Sequence, residues 1–476
     1  MSEITTHPAS LHATANATTI AAEQSPASVA DVADPPRPFY WGAATAAYQI
    51  EGSPQADGAG RCVWDEFSRT PDAVFAGDTG DLACDHYHRW PQDVELMREL
   101  GLGAYRFSIR WPRILPEGVG SVNQKGLAFY DRLVDGLLEA GIEPFPTLFH
   151  WDMPAALQRR GGWSNRDVAS WFAEYTIAVT NVLGDRIKRW TTFNEPFVVA
   201  EQGHLVGVHA PGIRNVYATC SAIHNQLRAH VAAVRVIKAN IADAEVGIVL
   251  HNAAAFPASS SPEDVLAAEV AHQWHNYPLF ADPLVHGRYP LELEQLLRPY
   301  MPDGYEDDMP GLQHRPDFLG MNYYSGYRAQ RDAQRWLGFS ARPEPEMPRT
   351  AMDWIIRPEG LHAVLKRAHE DYNLPSIYVT ENGAAFDDVR HGSTVEDDDR
   401  IAYLDGHIRA VLQARDEGVP IHGYFVWSLF DNFEWACGYE KRFGIVYIDF
   451  ETQERIVKQS GHFYSRLARE GRAALS

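Results

Sequence analysis

From residue 39 onward, short runs of apolar, β-branched and aromatic residues alternate with longer stretches whose apolar positions recur every three or four residues. The short runs read as strands and the longer ones as amphipathic helices packed over them. Strands are expected at 39–43, 104–109, 144–149, 189–193, 246–250, 317–322, 377–380 and 423–427, with helical runs between them such as 90–100 and 168–183. Gly101 and Gly141 stand where helices should stop. Eight such units in one chain predict α/β architecture, a single (β/α)8 TIM barrel, with the chemistry at the C-terminal ends of the strands. The two long connections, 201–222 and 326–358, read as rim loops around that end.

Residues 1–36 break the pattern. They are rich in Ala, Ser, Thr and Pro, carry no Lys or Arg, and contain no continuous apolar core of the kind a signal peptide needs. They are expected to form a disordered tail, with the catalytic domain spanning 37–476. No run approaches the ~18 apolar residues of a membrane span. The 63 acidic and 42 basic side chains leave a formal net charge of -21, which repels nucleic acid and anionic membranes. Cys62, Cys84, Cys220 and Cys437 have neither disulfide-framework nor zinc spacing, and they read as mostly buried thiols of a cytoplasmic protein. His86 and His88 lack a third convergent ligand, so no metal is expected. The acidic run 396–399 reads as a solvated loop before a helix.

Two strings then change the picture: Thr191-Thr192-Phe193-Asn194-Glu195-Pro196 and Tyr378-Val379-Thr380-Glu381-Asn382-Gly383. Each delivers a glutamate where a strand-like run meets a turn, and Pro196 should hold Glu195 extended. A pair of carboxylates placed this way is what glycosidic bond cleavage requires, one as proton donor and one as nucleophile or base. The expected ends of the other strands offer Gln49, Arg106, His150, Asn322 with Tyr324, and Trp427, groups suited to a polyhydroxylated ligand. Only the fifth strand offers nothing of this kind. Trp427 and His150, each taken alone, read as core residues more readily than as ligand contacts.

Tyr48-Gln49-Ile50-Glu51-Gly52, Cys84-Asp85-His86-Tyr87, Tyr105-Arg106-Phe107-Ser108, Leu148-Phe149-His150-Trp151, Phe193-Asn194-Glu195-Pro196, Met321-Asn322-Tyr323-Tyr324, Thr380-Glu381-Asn382-Gly383, Trp427-Ser428-Leu429 and Asp431-Asn432-Phe433-Glu434-Trp435 follow in order. Over roughly residues 38–465 the chain resembles the glycoside hydrolase family 1 β-glucosidases. The resemblance implies a retaining β-glycosidase that needs no cofactor and acts on β-glucosides and short cello-oligosaccharides, with β-galactosidase and β-fucosidase side activity. It implies Glu381 as nucleophile, Glu195 as acid/base, and Tyr324 and Arg106 as partners of the nucleophile. Gln49, His150, Asn194, Asn322, Glu434 and Trp435 match positions that bind the non-reducing sugar, and Trp427 matches the platform beneath it. Trp151, Trp354 and Phe443 would shape the cavity. Phe197 in place of a frequent Trp, and Glu201-Gln202 in place of an apolar stretch, depart from the family pattern on the leaving-group side.

A retaining reaction needs the two carboxyls about 5–5.5 Å apart. At that separation and an effective dielectric near 20 they repel by roughly 3 kcal/mol, about two pKa units. The glutamate paired with Arg106 and Tyr324 is then expected to stay anionic while the other holds the proton. Glu434 is expected to grip two sugar hydroxyls by charge-assisted hydrogen bonds. In relatives that take sugar 6-phosphates a serine stands at the Glu434 position and a tyrosine at that of Phe443, so this sequence disfavours a phosphorylated sugar, although Lys441 matches that branch. A non-catalytic sugar binder on the same fold would have lost one of the two carboxylates.

Overall fold

The computed structural model describes residues 38–475. Eight strands, β1 (Tyr40–Ala44), β2 (Ala104–Ser108), β3 (Glu143–Phe149), β4 (Arg189–Asn194), β5 (Glu245–Pro257), β6 (Phe318–Arg331), β7 (Ile377–Asn382) and β8 (Ile421–Trp427), pair in parallel in the order β5-β4-β3-β2-β1-β8-β7-β6. Pairing of β5 with β6 closes the ring. A major helix follows each strand: α1 (His86–Leu100), α2 (Gln124–Glu139), α3 (Val168–Leu183), α4 (Val216–Asn240), α5 (Pro262–His275), α6 (Pro358–Tyr372), α7 (Asp398–Asp416) and α8 (Gln459–Glu470). The predicted (β/α)8 barrel is the observed fold. The tail expected over 1–36, with its boundary at 37, lies outside the described residues.

The strands sit inside this ring because they are rich in apolar residues and covered on both faces; β2, for example, is buried throughout. Phe145, Phe318, Tyr378 and Phe425 come from four different strands and meet with ring centroids 5.1–5.8 Å apart, so the interior is a packed core, not a pore. Helix α1 stops at Gly101, whose φ of 75° is the left-handed conformation that glycine adopts without steric cost.

Three expectations about the connections need correction. Segment 201–222 is only partly a loop: Glu201–Val206 is a turn of π-helix, and α4 begins at Val216, which leaves 207–215 irregular. In 326–358 the first six residues prolong β6, which pairs with β5 in register from Gly247↔Phe318 to Pro257↔Ala329. Past Val249 and Asn322 these strands pair with each other and no longer with β4 or β7, so they rise from the barrel as a ribbon, to which Phe339–Ala341 adds antiparallel to β6. Long-range pairing supplies those backbone hydrogen bonds, and no local pattern announces it. The acidic run 396–399 is not wholly solvated either. Asp397 is buried, pairs with Arg400 and accepts from the Ser460 amide at 2.8 Å. His86 is buried against Asp93 at 2.8 Å, and His88 pairs with Asp85.

Asp152, beside the site, is fully buried, and neither of its carboxylate oxygens makes a well-formed hydrogen bond. Burial pushes its pKa up to about 8, only partly offset by the charge of Arg110. The folded chain therefore keeps a proton that the unfolded chain releases near pH ~4. The stability this gives is complete below that pH and is lost as pH rises through about 8. Thermal denaturation at pH 5 and pH 9 should show the native protein losing more stability between the two than Asp152→Asn, by up to a few kcal/mol. Parallel losses would refute the assignment.

Candidate active site

At the C-terminal end of the ring, side chains from most of the strands converge on a cavity of about 330 Å³. Strand β7 delivers Glu381 from within the strand, since the extended conformation continues to Asn382 and does not end at Thr380. Gly383 follows because a Cβ there would lie 1.6 Å from the Trp427 carbonyl oxygen; the chain must pass directly beneath β8. Strand β4 ends at Asn194, and Pro196 opens the helix Pro196–Ala200.

Glu195 at the junction is not extended but left-handed, with φ 43° and ψ 62°. Proline excludes the right-handed helical region from its predecessor and leaves the left-handed one open. That conformation costs about 1–2 kcal/mol in an ordinary residue. The Glu195 amide is tied to the Val249 carbonyl on β5 at 2.9 Å, which holds the strained turn in place.

The two glutamates have different partners. Glu381 accepts from Arg106 Nη1 at 2.5 Å on Oε1 and from the Tyr324 hydroxyl at 2.5 Å on Oε2. Glu195 Oε1 accepts from Asn322 Nδ2 at 3.0 Å and lies 3.3 Å from His251 Nδ1. A relay joins them: Asn194 Oδ1 accepts from Arg106 Nη2 at 2.7 Å and from Asn322 Nδ2 at 3.0 Å, while Thr380 positions Asn322 from behind at 2.8 Å. Asn322 and Glu381 are also register partners on β6 and β7.

The electrostatics depart from the expectation of a simply anionic Glu381. Burial, opposed by Arg106 and reinforced by the charge of Glu195, pushes its pKa up to about 7. Arg106 and Tyr324 are the groups that stabilise the Glu381 charge. Glu434 also departs from expectation: burial and the charges of Glu381 and Glu195 push it up to about 8. Near neutral pH it is chiefly a carboxylic acid, able to donate as well as accept, rather than the charged acceptor expected. His150 is driven well below the ordinary histidine range by burial and by Arg106, so its ring is neutral.

Among the buried polar atoms of this neighbourhood without a hydrogen-bond partner are His150 Nδ1, Gln49 Oε1 and Glu434 Oε2, together with His209 Nδ1 and Arg106 Nε. Asn194 Nδ2 lies 3.0 Å from His150 Nε2 and donates to it, which places the imidazole proton on Nδ1 as a free donor. Gln49 spends its amide N–H groups on Asn432 and the Phe433 carbonyl, leaving its oxygen free. Buried polar atoms without partners are costly, and a donor and two acceptors left together suit a ligand that can do both. Trp427 lies nearly parallel to His150 at 5.9 Å, and Trp435 packs on Trp151 at 4.5 Å and on Tyr48 at 6.2 Å. Trp151 donates to the Asn194 carbonyl at 3.0 Å. Trp354 leans over Tyr324 and Phe443.

Of the residues singled out in the sequence, Glu195, Glu381, Tyr324, His150, Trp151, Asn194, Trp354, Trp427, Glu434, Trp435 and Phe443 line the cavity. Arg106 and Asn322 are fully buried behind that lining and reach it through their hydrogen bonds to Glu381 and Glu195, and Gln49 is fully buried beside Glu434. The expectation that the fifth strand contributes nothing is wrong. His251 stands one position past the expected strand end, lines the cavity and contacts Glu195. Its place immediately after an apolar run is the signal that could have found it. His209, Glu201 and Phe197 also line the cavity; His209 comes from a connection with no periodicity to read.

The sequence model of Glycosyl hydrolase family 1 matches residues 33–472. The chain is 55% identical over 437 residues to β-glucosidase A of Thermotoga maritima, an alignment covering 91% of this chain and 97% of that one. The solved structure of a family 1 β-glucosidase from Thermotoga maritima superposes with a TM-score of 0.89 at 55% identity, covering 90% of this chain and 97% of the other. A β-glucosidase from the same organism in complex with deoxynojirimycin superposes at 0.90 and 54% identity, covering 91% and 98%. With a barrel closed by β5 and β6, two glutamates converging from β4 and β7, and these likenesses along nearly the whole length, the chain belongs to glycosyl hydrolase family 1.

Proposed function

We propose that the chain is a retaining β-glucosidase that removes terminal non-reducing β-D-glucosyl residues from β-glucosides and short oligosaccharides such as cellobiose. The observation that carries this reading is the set of free buried atoms: His150 Nδ1–H and Glu434 Oε2 on residues lining the cavity with Trp427 and Glu381, and Gln49 Oε1 beside Glu434. Sugar hydroxyls both donate and accept, so one ring resting on Trp427 satisfies all three and presents its anomeric carbon to Glu381.

Glu381, its charge held by Arg106 and Tyr324, attacks that carbon as the glycosidic C–O bond breaks, and the proton on Glu195 passes to the departing oxygen. Once Glu381 is esterified its negative charge is gone, so Glu195 becomes a base. It takes a proton from water, whose oxygen attacks the anomeric carbon and releases Glu381. Asn322 and His251 both approach Oε1 of Glu195, which leaves Oε2 as the oxygen that carries the moving proton.

A sugar 6-phosphate fits less well. Glu434 repels a phosphate dianion when ionised, and Phe443 is a buried apolar ring packed near Tyr324 and Trp354. Galactosides and fucosides are expected as side substrates, because one carboxyl at Glu434 can reach an axial or an equatorial hydroxyl. The free thiols, three buried and Cys437 half-buried, suit a reducing cytoplasm. Among the described residues no helix is long and apolar enough to cross a membrane.

The test is NMR of the sugar first released from an aryl β-glucoside, before mutarotation. β-Glucose is expected. Initial α-glucose would mean inversion and overturn the mechanism, and faster cleavage of cellobiose 6′-phosphate than of cellobiose would overturn the substrate class.

A further inference from the structure

Strands β6 and β7 separate at the catalytic cavity. Their register runs from Leu319↔Ile377 to Asn322↔Glu381, with a shift just before the last pair, so Tyr323 and Tyr324 lie beyond the β7 ladder. On its other edge β6 pairs Tyr323 with Asn252 and then Ser325 with Ala253, which leaves Tyr324 opposite no residue of β5. Tyr324 is thus the extra residue of a β-bulge, a feature that re-aims a side chain out of the regular alternation. The side chain re-aimed here is the one that donates to Glu381 Oε2 at 2.5 Å.

A residue outside both registers needs another partner to hold its backbone. Tyr403, from α7 in the outer ring, supplies one. Its hydroxyl donates to the Tyr324 carbonyl at 2.9 Å and accepts from Asn382 Nδ2 at 3.1 Å. The same Nδ2 donates to the Tyr323 carbonyl at 2.6 Å, and Asn382 Oδ1 accepts from the Tyr424 hydroxyl on β8 at 2.7 Å. One hydroxyl and one amide therefore span the gap where β6 and β7 part, joining the backbone of Tyr324 to the residue that follows Glu381.

Tyr403 is fixed in that place. It is buried, its ring lies nearly parallel to that of His407 at 3.9 Å, and His407 Nδ1 donates to the Tyr403 carbonyl at 2.8 Å. Burial pushes the phenol pKa up, so the hydroxyl keeps the proton it donates. Tyr403 does not line the catalytic cavity, and its route to the reacting atoms runs through Tyr324 and Asn382.

We propose that Tyr403 is a positioning residue of the reaction, whose hydroxyl bridges Asn382 on β7 to the Tyr324 carbonyl on β6 and thereby sets the Tyr324 hydroxyl against Glu381. The proposal rests on the β-glucosidase reading above and extends the working parts of the site to an outer helix.

The experiment is a double-mutant cycle: the native protein, Tyr403→Phe, Tyr324→Phe and the double variant are assayed on an aryl β-glucoside across pH. Phenylalanine keeps a ring against His407, and Asn382 keeps its bond to the Tyr323 carbonyl, so only the bridge is removed. Tyr403→Phe is expected to lower kcat/KM about tenfold, within the range that a displaced catalytic contact costs. Where Tyr324 is already phenylalanine, the same change should cost less than about twofold, because two residues acting through one contact are not additive. The acid limb of kcat/KM should also move to higher pH in Tyr403→Phe. Burial and the charge of Glu195 raise the Glu381 pKa while Arg106 and the Tyr324 hydroxyl oppose them, so loosening Tyr324 raises the pH at which Glu381 ionises. Glu195, Arg106 and Glu434, the other charged or titratable groups facing Glu381, are present in every variant. The position of that limb does not depend on the fraction of protein folded, so a poorly folding variant still reports. An equal loss in both backgrounds, or an acid limb that stays in place, would show Tyr403 to be a packing residue alone and overturn the proposal. A native protein inactive on every β-glucoside would overturn the underlying reading, and the positioning role with it.

Discussion

Glu381→Gly should leave a folded protein whose hydrolysis of aryl β-glucosides is reduced on the order of 10⁴-fold or more, the scale of losing a catalytic nucleophile. The mutation removes the acceptor of two short hydrogen bonds, from Arg106 and Tyr324, and so deletes the proposed nucleophile. Arg106 keeps its bond to Asn194, so its buried charge is not stranded without a partner. The vacated space then admits an α-glucosyl fluoride, whose configuration mimics the glycosyl ester, and Glu195 can still deprotonate an acceptor sugar. Transfer from that fluoride to give a β-linked product, followed by chromatography, is the positive result. Hydrolysis within tenfold of the native rate, with the fold confirmed by circular dichroism, would remove Glu381 from the nucleophile's place.

Glu195→Ala is the second large effect, and it should depend on the substrate. Proton transfer by a positioned acid contributes about 10² to 10⁴-fold, so glycosides with poor leaving groups lose roughly that much. A dinitrophenyl glucoside needs no proton to depart, and formation of the ester at Glu381 should remain measurable with it. Turnover then stalls at the glycosyl ester, because no base activates water. Azide, which needs no base, should restore turnover and yield the β-glucosyl azide. The loss of Asn322 Nδ2's acceptor is a minor structural change, since Asn194 Oδ1 remains within its reach at 3.0 Å. Equal losses for good and poor leaving groups, or an α-azide, would show that Glu195 is not the acid/base.

Both assignments begin from features legible along the chain. A strand that ends in Asn194-Glu195-Pro196 and another that delivers Glu381 before Asn382-Gly383 can be read without coordinates, because the period of apolar residues and the punctuation by proline and glycine are local properties. The reading of Gly383 as a turn residue was incomplete. Its missing side chain serves the approach of the Trp427 carbonyl from a strand more than forty residues downstream, a contact that no local rule contains. Glu195 shows the same limit. Proline limits its predecessor to several conformations, and the hydrogen bond of the Glu195 amide to Val249 on the neighbouring strand goes with the left-handed one. His251 was missed because strand β5 continues past Leu250, sustained by pairing with β6 and not by its own residues.

By itself the sequence determined the number and order of the barrel's strands and helices, the closed barrel they build, and, with the help of its resemblance to a known family, many of the groups at its C-terminal mouth. These follow from short-range periodicity and from motifs whose spacing is visible in one dimension. Only the tertiary structure decided the charge states and the walls of the cavity. The pKa values of Glu381 and Glu434 rise because burial removes water from three carboxyl groups brought together from different strands, and that collective cost is a property of no single segment. The free Nδ1 of His150 and the ribbon of β5 and β6 likewise exist only once distant residues have taken each other's hydrogen bonds.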